Sequence, residues 1–337
     1  MRYFAQFRAG LGELVIDALR RDLRSVKVVS SDGSSLIFDA GTDPSTIGNL
    51  GYLKNAFSVL GMIRRCSAQR AAEQFAEQVL STPMLRRQGR TSFRTMVSVD
   101  GRLLGLPRPA KTRLESAIAK ATGARPSPRG GGVEYWLIGR RDVESMLFCQ
   151  RLTTGIKPGA AGSLGADLAM LLVMASDPRP DDVFLDPFAG SGSIVRARMA
   201  LPYGRATYSD LAAGAPYLQV PSAIRRRARV TVLAEDALEL PSISSGSVSS
   251  IVTDPPWGEY DRLDVDFAAF ARRMMASFDR VLQPRRGRLV LLLSRRAAEV
   301  TRGLWPSANL RLVQSHQLLV NGHSASAQIG GRLPRVG

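Results

Sequence analysis

Two short strings hold the residues best suited to chemistry: DPFAGSG, from Asp186 to Gly192, and, about 70 residues later, DPPWG, from Asp254 to Gly258. In the second, the Asp254 carboxylate and the Pro255 backbone carbonyl are two acceptors on a stretch whose torsions Pro255 and Pro256 restrict. Such acceptors stand in place before a ligand arrives. Trp257 adds a flat face on which a planar ring can stack, and Gly258 lets the chain turn away. Two fixed acceptors beside a flat face suit a planar ring carrying an amino group. In the first string, Gly190 and Gly192 make a tight turn whose backbone can approach a ligand closely, because neither carries a Cβ. Four acids, Asp186, Asp210, Asp236 and Asp254, fall at or just past apolar runs that read as strands.

The surrounding pattern explains how these residues could meet. From residue 164 onward, strand and helix signals alternate: VFLDP, a helix from about 192, ATYSD, VTVLAED, SSIVTDPP, a helix through AAFARRMMASF, and RLVLLLS. This alternation predicts a parallel sheet with both faces covered. The carboxyl ends of its strands form a ligand crevice at the switch point, where the four acids would line up. Asn321-Gly322 between two further strand-like runs is a type I′ hairpin signal, which makes the last strand antiparallel. A dinucleotide fingerprint would need a third glycine where Val195 stands, which argues against a nicotinamide cofactor.

Upstream, the first 40 residues read β-α-β-β, with Leu11, Leu14, Val15, Ala18 and Leu19 on one helical face. A helix is expected at about 67–80, a strand at about 91–99, a helix at about 110–122 and a strand at about 133–139. The Gly/Ala-rich stretch 153–163 reads as a linker, and Ser163 as the N-cap of the helix after it.

Composition narrows the class. The 337 residues suffice for two domains or three small ones, and no apolar run approaches the ~20 residues of a membrane span. Cys66 and Cys149 are the only cysteines, which fits a reducing cytosol, and with only His316 and His323 beside them no metal site is expected. Neither cysteine sits in a Pro-Cys context, so a cysteine nucleophile is not indicated. The net charge is +17; residues 1–155 hold 24 Lys/Arg against 13 Asp/Glu, and residues 156–337 hold 22 against 16. That excess favours a polyanionic partner. Only five of the 46 basic residues are lysine, so genomic bias contributes to it too.

DPFAGSG followed by DPPW resembles the cofactor turn and the (D/N)PP(Y/F/W) motif of class I methyltransferases that use S-adenosylmethionine to methylate exocyclic nucleobase amines. The resemblance implies an α/β, Rossmann-like domain with a seven-stranded, mostly parallel sheet. It implies that Asp186 and the turn from Phe188 and Ala189 through Gly190 and Gly192 to Ser193 face the methionine part. Asp210 would hold the ribose hydroxyls, and Asp236, with Glu235 as its rival and Ala237 beside it, the adenine. Asp254, Pro255, Pro256 and Trp257 would form the catalytic loop. Asp254 and the Pro255 carbonyl would take the two amine N–H groups, and Trp257 would stack on a flipped base.

Over nearly its whole length the chain is similar to the THUMP-domain RNA guanine-N2 methyltransferases. The similarity is carried by RYFAQFRAGLGELVIDALRRDL, SFRTMVSV, TRLESAIAKATG and VEYWLIGRRDVESMLFCQRL, then KPGAAGSLGADLAMLL, DPFAGSGSI, TDPPWG and QLLVNG. It implies an N-terminal ferredoxin-like segment at 1–60, a THUMP-like RNA-binding domain at 61–152, a linker at 153–163 and the catalytic domain at 164–337. The implied substrate is a guanosine N2 amine in tRNA, with S-adenosylmethionine as cofactor, no metal and no membrane, and a monomer in the cytoplasm. Arg86, Arg87, Arg90 and Arg94 are the candidates for RNA docking, and the run Arg225 to Arg229 is a second basic cluster. Two departures stand out: Trp257 where guanine-N2 members commonly have Tyr or Phe, and VRARMA where an acid is frequent. The alternatives are ribosomal RNA guanine-N2 or nucleic-acid adenine-N6 methylation, or an RNA-binding protein with a degenerate methyltransferase fold.

Overall fold

The computed structural model of the chain describes residues 1–87, 91–127, 132–141, 143–154, 164–259 and 266–332. They form two compact units: Met1–Phe7 with Leu19–Gly155, and Arg8–Ala18 with Ile156–Gly337.

The first unit carries β1 (Arg2–Gln6), the end of α1 (Gly12–Asp22), β2 (Lys27–Ser31), β3 (Ser35–Asp39), α2 (Pro44–Gly48), β4 (Asn55–Arg64) and α3 (Ala68–Ser81). It continues with β5 (Ser92–Val99), β6 (Arg102–Leu103), α4 (Arg108–Thr122), β7 (Arg125–Pro126), β8 (Val133–Gly139) and β9 (Ser145–Arg151). The strands join in one sheet of order β2-β3-β1-β4-β9-β8-β5-β6, with β7 against β5. The sequence reading puts a domain boundary at 60–61; that point lies inside β4, which pairs with both β1 and β9, so a single sheet runs through both segments. Helices α3 and α4 cover this sheet with Phe75, Ala76, Val79, Leu114 and Ile118, all buried against Tyr135 and Phe148.

The second unit carries α5 (Ala166–Ala175), β10 (Val183–Asp186), α6 (Ser193–Met199), β11 (Arg205–Ser209), α7 (Ser222–Arg225), β12 (Val230–Leu233) and β13 (Ser250–Thr253). After these come α8 (Phe267–Val281), β14 (Arg288–Ser294), α9 (Arg295–Arg302), β15 (Leu310–Val320) and β16 (His323–Arg332). Its seven strands have the order β12-β11-β10-β13-β14-β16-β15. The first five run parallel, and β16 pairs antiparallel with both β14 and β15. Asn321 and Gly322 both take positive φ, 51° and 89°, as the hairpin between β15 and β16 requires. Ser163 lies outside the described residues, and Gly165 caps α5.

The core of this unit packs α8 onto the sheet through Phe270, Met274, Phe278 and Val281, against Leu289, Leu291 and Leu293 of β14. β14 is buried on both faces, which is why it reads as the continuous run RLVLLLS rather than as an alternation. The chain winds from β10 outward through β11 to β12, then returns to β13 on the other side of β10. The switch point is therefore the β10–β13 boundary, and Asp186 and Thr253 end those two strands.

Candidate functional site

Around the carboxyl ends of β10, β11, β12 and β13 lies a cavity of about 740 Å³. Its walls take in Asp186, Phe188, Ala189, Gly190, Ser193, Asp210, Asp236 and Ala237 from the β10–β12 half of the sheet, and all of Asp254 to Trp257 from the half that begins with β13. Both strings therefore open on one space, with no packed side chain of the described residues filling the gap between them. Gly192 and Glu235, also singled out from the sequence, are not among the lining residues.

Asp186 is the buried centre of this arrangement, 1% exposed. Its Oδ1 accepts from the Thr253 hydroxyl at 2.7 Å and from the Phe188 N–H at 3.4 Å. Its Oδ2 is buried and has no hydrogen-bond partner among the described residues. Burial above all, then the charges of Asp254 and Asp210, push the carboxyl up to about 8, although the Thr253 and Phe188 hydrogen bonds pull the other way. A buried carboxyl with one orphan oxygen, facing a cavity with three further acids, Asp210, Asp236 and Asp254, is a site for a cationic or donor-rich ligand.

The glycine turn is held from outside the string. Gly190 N–H donates to Asp210 Oδ2 at 2.9 Å, Ala189 N–H to the Ser209 carbonyl at 3.0 Å, and the Tyr208 hydroxyl to the Gly190 carbonyl at 2.5 Å. Gly190 and Gly192 have φ of 48° and 73°, the left-handed region. A Cβ at Gly190 would meet nothing within 4 Å, so the space beside the turn is open. At Gly192 it would stand 2.4 Å from Ile224 Cδ1, so that glycine serves packing against α7. Asp210 spends its second oxygen on the Ala212 N–H at 2.9 Å; both oxygens keep lone pairs for further donors. Asp236 accepts from Leu238 N–H at 2.9 Å and lines the cavity, whereas Glu235 turns to Ser242 N–H at 3.4 Å, which favours Asp236 of the two.

In the DPPWG loop, Trp257 Nε1–H donates to Asp254 Oδ1 at 3.0 Å and lies 3.3 Å from the Leu292 carbonyl. The indole edge thus positions the carboxylate, a role beyond the stacking face expected from the sequence. Gly258 has φ 74°, and Glu259 Oε1 accepts from the Ser294 hydroxyl at 2.7 Å, anchoring the loop beside β14.

Several contributors escaped the sequence reading. Thr253 and Tyr208 hold the site through hydroxyls, and Phe270 and Arg273 of α8 line the cavity. Thr253 had a usable signal, since it directly precedes DPPW on a strand end. Tyr208 and α8 had none, because their positions follow from sheet order. Neither Cys66 nor Cys149 lines the cavity, and no group of three or more metal-ligating side chains occurs among the described residues.

Three of the four arginines expected to dock RNA lie among the described residues. Arg86 and Arg87 are exposed, and Arg90 lies outside the described residues. Arg94 is withdrawn from that set: its guanidinium pairs with Glu134 across the β5–β8 ladder, and Glu134 also takes Arg151 at 3.1 Å and the Trp136 indole at 3.0 Å. An arginine opposite an acid in a ladder is bound by its neighbour before any ligand arrives.

The profile of the UPF0020 family, an RMKL-like methyltransferase domain, matches residues 156–199. A search of curated proteins returns no match. Among solved structures, TrmN from Thermus thermophilus superposes with a TM-score of 0.69 at 20% identity, over 98% of this chain and 99% of that one. SMU.472, complexed with SAH, gives 0.61 at 13% identity over 100% and 99%. A predicted N6-adenine-specific DNA methylase from Listeria monocytogenes gives 0.55 at 15% identity over 97% and 95%. At these identities the likeness is one of fold: an α/β architecture shared with methyltransferases, along the whole chain.

Proposed function

We propose that this protein is an S-adenosylmethionine-dependent methyltransferase acting on the exocyclic N2 amine of a guanosine in tRNA. The observation that carries the reading is the single cavity onto which the Gly190 turn and the Asp254–Trp257 loop both open.

The residues present fit the cofactor. The orphan Asp186 Oδ2 and the raised carboxyl around it call for positive charge or a donor, which the ammonium and sulfonium of S-adenosylmethionine carry. Asp210 has acceptor capacity for ribose hydroxyls, and Asp236 for an adenine amine. The open space at Gly190 admits a ligand where a side chain would stand. S-adenosylmethionine supplies an electrophilic methyl group when bound.

The chain's own residues act on the nucleobase. An aryl amine is a poor nucleophile because its lone pair is delocalised into the ring. Asp254 and the Pro255 carbonyl accept its two N–H groups and draw the nitrogen toward tetrahedral geometry. The prolines hold both acceptors, and Trp257 Nε1–H keeps Asp254 from turning away. The lone pair then points into the cavity. The RNA target follows from the basic charge, +17, and from the similarity to the THUMP-domain guanine-N2 enzymes. A second reading, adenine-N6 methylation, is favoured by one observation: Trp257 is the aromatic residue frequent in adenine-N6 enzymes.

Calorimetry with S-adenosylmethionine and mass spectrometry of digested tRNA from a deletion strain test this. We expect cofactor binding and loss of one N2-methylguanosine. Loss of N6-methyladenosine instead would select the second reading, and a folded protein without cofactor affinity would overturn both.

A further inference from the structure

Between Asp210 and Glu235 the chain runs for 24 residues, 211–234, without one acidic side chain and with four arginines, Arg225, Arg226, Arg227 and Arg229. All four are exposed. Only Arg229 reaches a partner, the Tyr203 carbonyl at 3.4 Å; the side chains of Arg225, Arg226 and Arg227 make no ion pair or hydrogen bond among the described residues. Other arginines of this unit are neutralised: Arg198 by Asp182, Arg273 by Glu239, Arg295 by Glu299 and Arg332 by Asp279. The positive charge on this connection is left uncompensated.

The same connection presents an aromatic ring. Tyr217 is 83% exposed, and its side chain makes no ring contact or hydrogen bond among the described residues. It sits where backbone turns fold the segment back on itself, Leu218 N–H to the Ala215 carbonyl at 3.0 Å and Gly214 N–H to the Leu218 carbonyl at 3.3 Å. Leu211, six positions earlier, is 73% exposed and lines the cavity with Asp210. The segment is anchored at its other end by Ile224 of α7, fully buried and packed on the Gly192 turn. The segment thus leaves the cavity at Leu211 and reaches the amino-terminal end of β12 at Arg229, with its guanidinium groups and its ring exposed to solvent.

We infer that residues 211–229 form an RNA-binding surface on the catalytic unit, in which Arg225, Arg226 and Arg227 grip backbone phosphates and Tyr217 stacks on an unpaired base. Guanidinium forks match phosphate oxygens, and aromatic faces take any unstacked base. A single-stranded stretch of the substrate RNA is the occupant that uses both, because bases within a duplex are not open to stacking. The inference rests on the RNA reading above and adds a docking surface separate from Arg86 and Arg87.

The test is fluorescence anisotropy with a labelled tRNA transcript between 50 and 200 mM salt, beside calorimetry with S-adenosylmethionine. For R225Q/R226Q/R227Q we expect about ten-fold weaker binding or more. Its log–log salt slope should be shallower by about 2, three contacts at roughly 0.7 each. Tyr217→Ala should weaken binding about ten-fold with an unchanged slope, and Tyr217→Phe should restore it. Cofactor affinity should stay at the wild-type value in all three. R285Q/R286Q, on the turn before β14, removes two charges at the same, amino-terminal end of the strands but four strand positions away from β12, and should change tRNA affinity less than about two-fold. Full affinity and slope in the triple variant, or an equal loss in R285Q/R286Q, would overturn this inference alone. A wild-type protein that binds S-adenosylmethionine and anionic phosphatidylserine vesicles but no RNA would overturn the RNA reading, and this surface with it.

Discussion

Trp257 Nε1 and Asp254 Oδ1 stand 3.0 Å apart within one tetrapeptide. The aromatic residue proposed as a stacking surface is also hydrogen-bonded to the acid proposed to face the amine. Tyr or Phe at this position has no N–H to offer there. Trp257→Phe should keep the ring but remove this hydrogen bond to the carboxylate, lowering kcat by about ten-fold while leaving cofactor affinity unchanged. Asp254→Ala should cost on the order of 10²–10³ in kcat, as removal of an aligned polar group in a reaction centre does. Single-turnover kinetics with calorimetry checks both; equal kcat for wild type and Trp257→Phe would reduce the contact to packing.

Asp186 makes stability depend on pH. Below its unfolded-state value near 4, both folded and unfolded chains hold the proton and the group costs nothing. Between about 4 and about 8 the unfolded chain releases the proton and the folded one retains it, so stability falls as pH rises through that window. Urea unfolding of wild type and Asp186→Asn at pH 5 and pH 7.5 should show the decline only in wild type. Parallel pH profiles would remove Asp186 as the cause.

The same group links protons to the cofactor. A cation beside Asp186 favours its ionised form, so binding S-adenosylmethionine at pH 7 should release protons. Calorimetry in phosphate and in Tris should give heats that differ by the buffers' ionisation enthalpies. Identical heats would place the cofactor's positive charge away from Asp186.

The two turn glycines should fail differently. Gly190→Ala carries the left-handed backbone cost alone, about 1–2 kcal/mol, and puts a methyl group in open space beside the cavity, so cofactor affinity should fall more than stability. Gly192→Ala adds a clash with Ile224 Cδ1. Ile224→Val removes that carbon, so the double variant should regain part of the lost thermal stability. Additive losses would show that Ile224 is not what Gly192 accommodates.

Tyr208→Phe removes the hydroxyl that ties β11 to the Gly190 carbonyl. About 1 kcal/mol of turn stabilisation should go with it, read as roughly five-fold weaker cofactor binding at unchanged kcat.

What the amino-acid string determined by itself is the local chemistry. DPFAGSG and DPPWG specify their own turns, because glycine and proline restrict torsions without help from distant residues. Their acids fall at strand ends because hydrophobic runs stop there. Tertiary structure decided the remainder. β4 escaped notice because a bulge between Val59 and Gly61 breaks its alternation, and α9 because Ser294 is both the last residue of β14 and the cap of the helix. Arg94 reads as a docking residue until the β5–β8 register sets it opposite Glu134. Asp186 and Asp254 lie 68 positions apart in the chain and share a cavity only because β13 inserts beside β10. Strand order is a property of pairing between distant segments, and no local pattern encodes it.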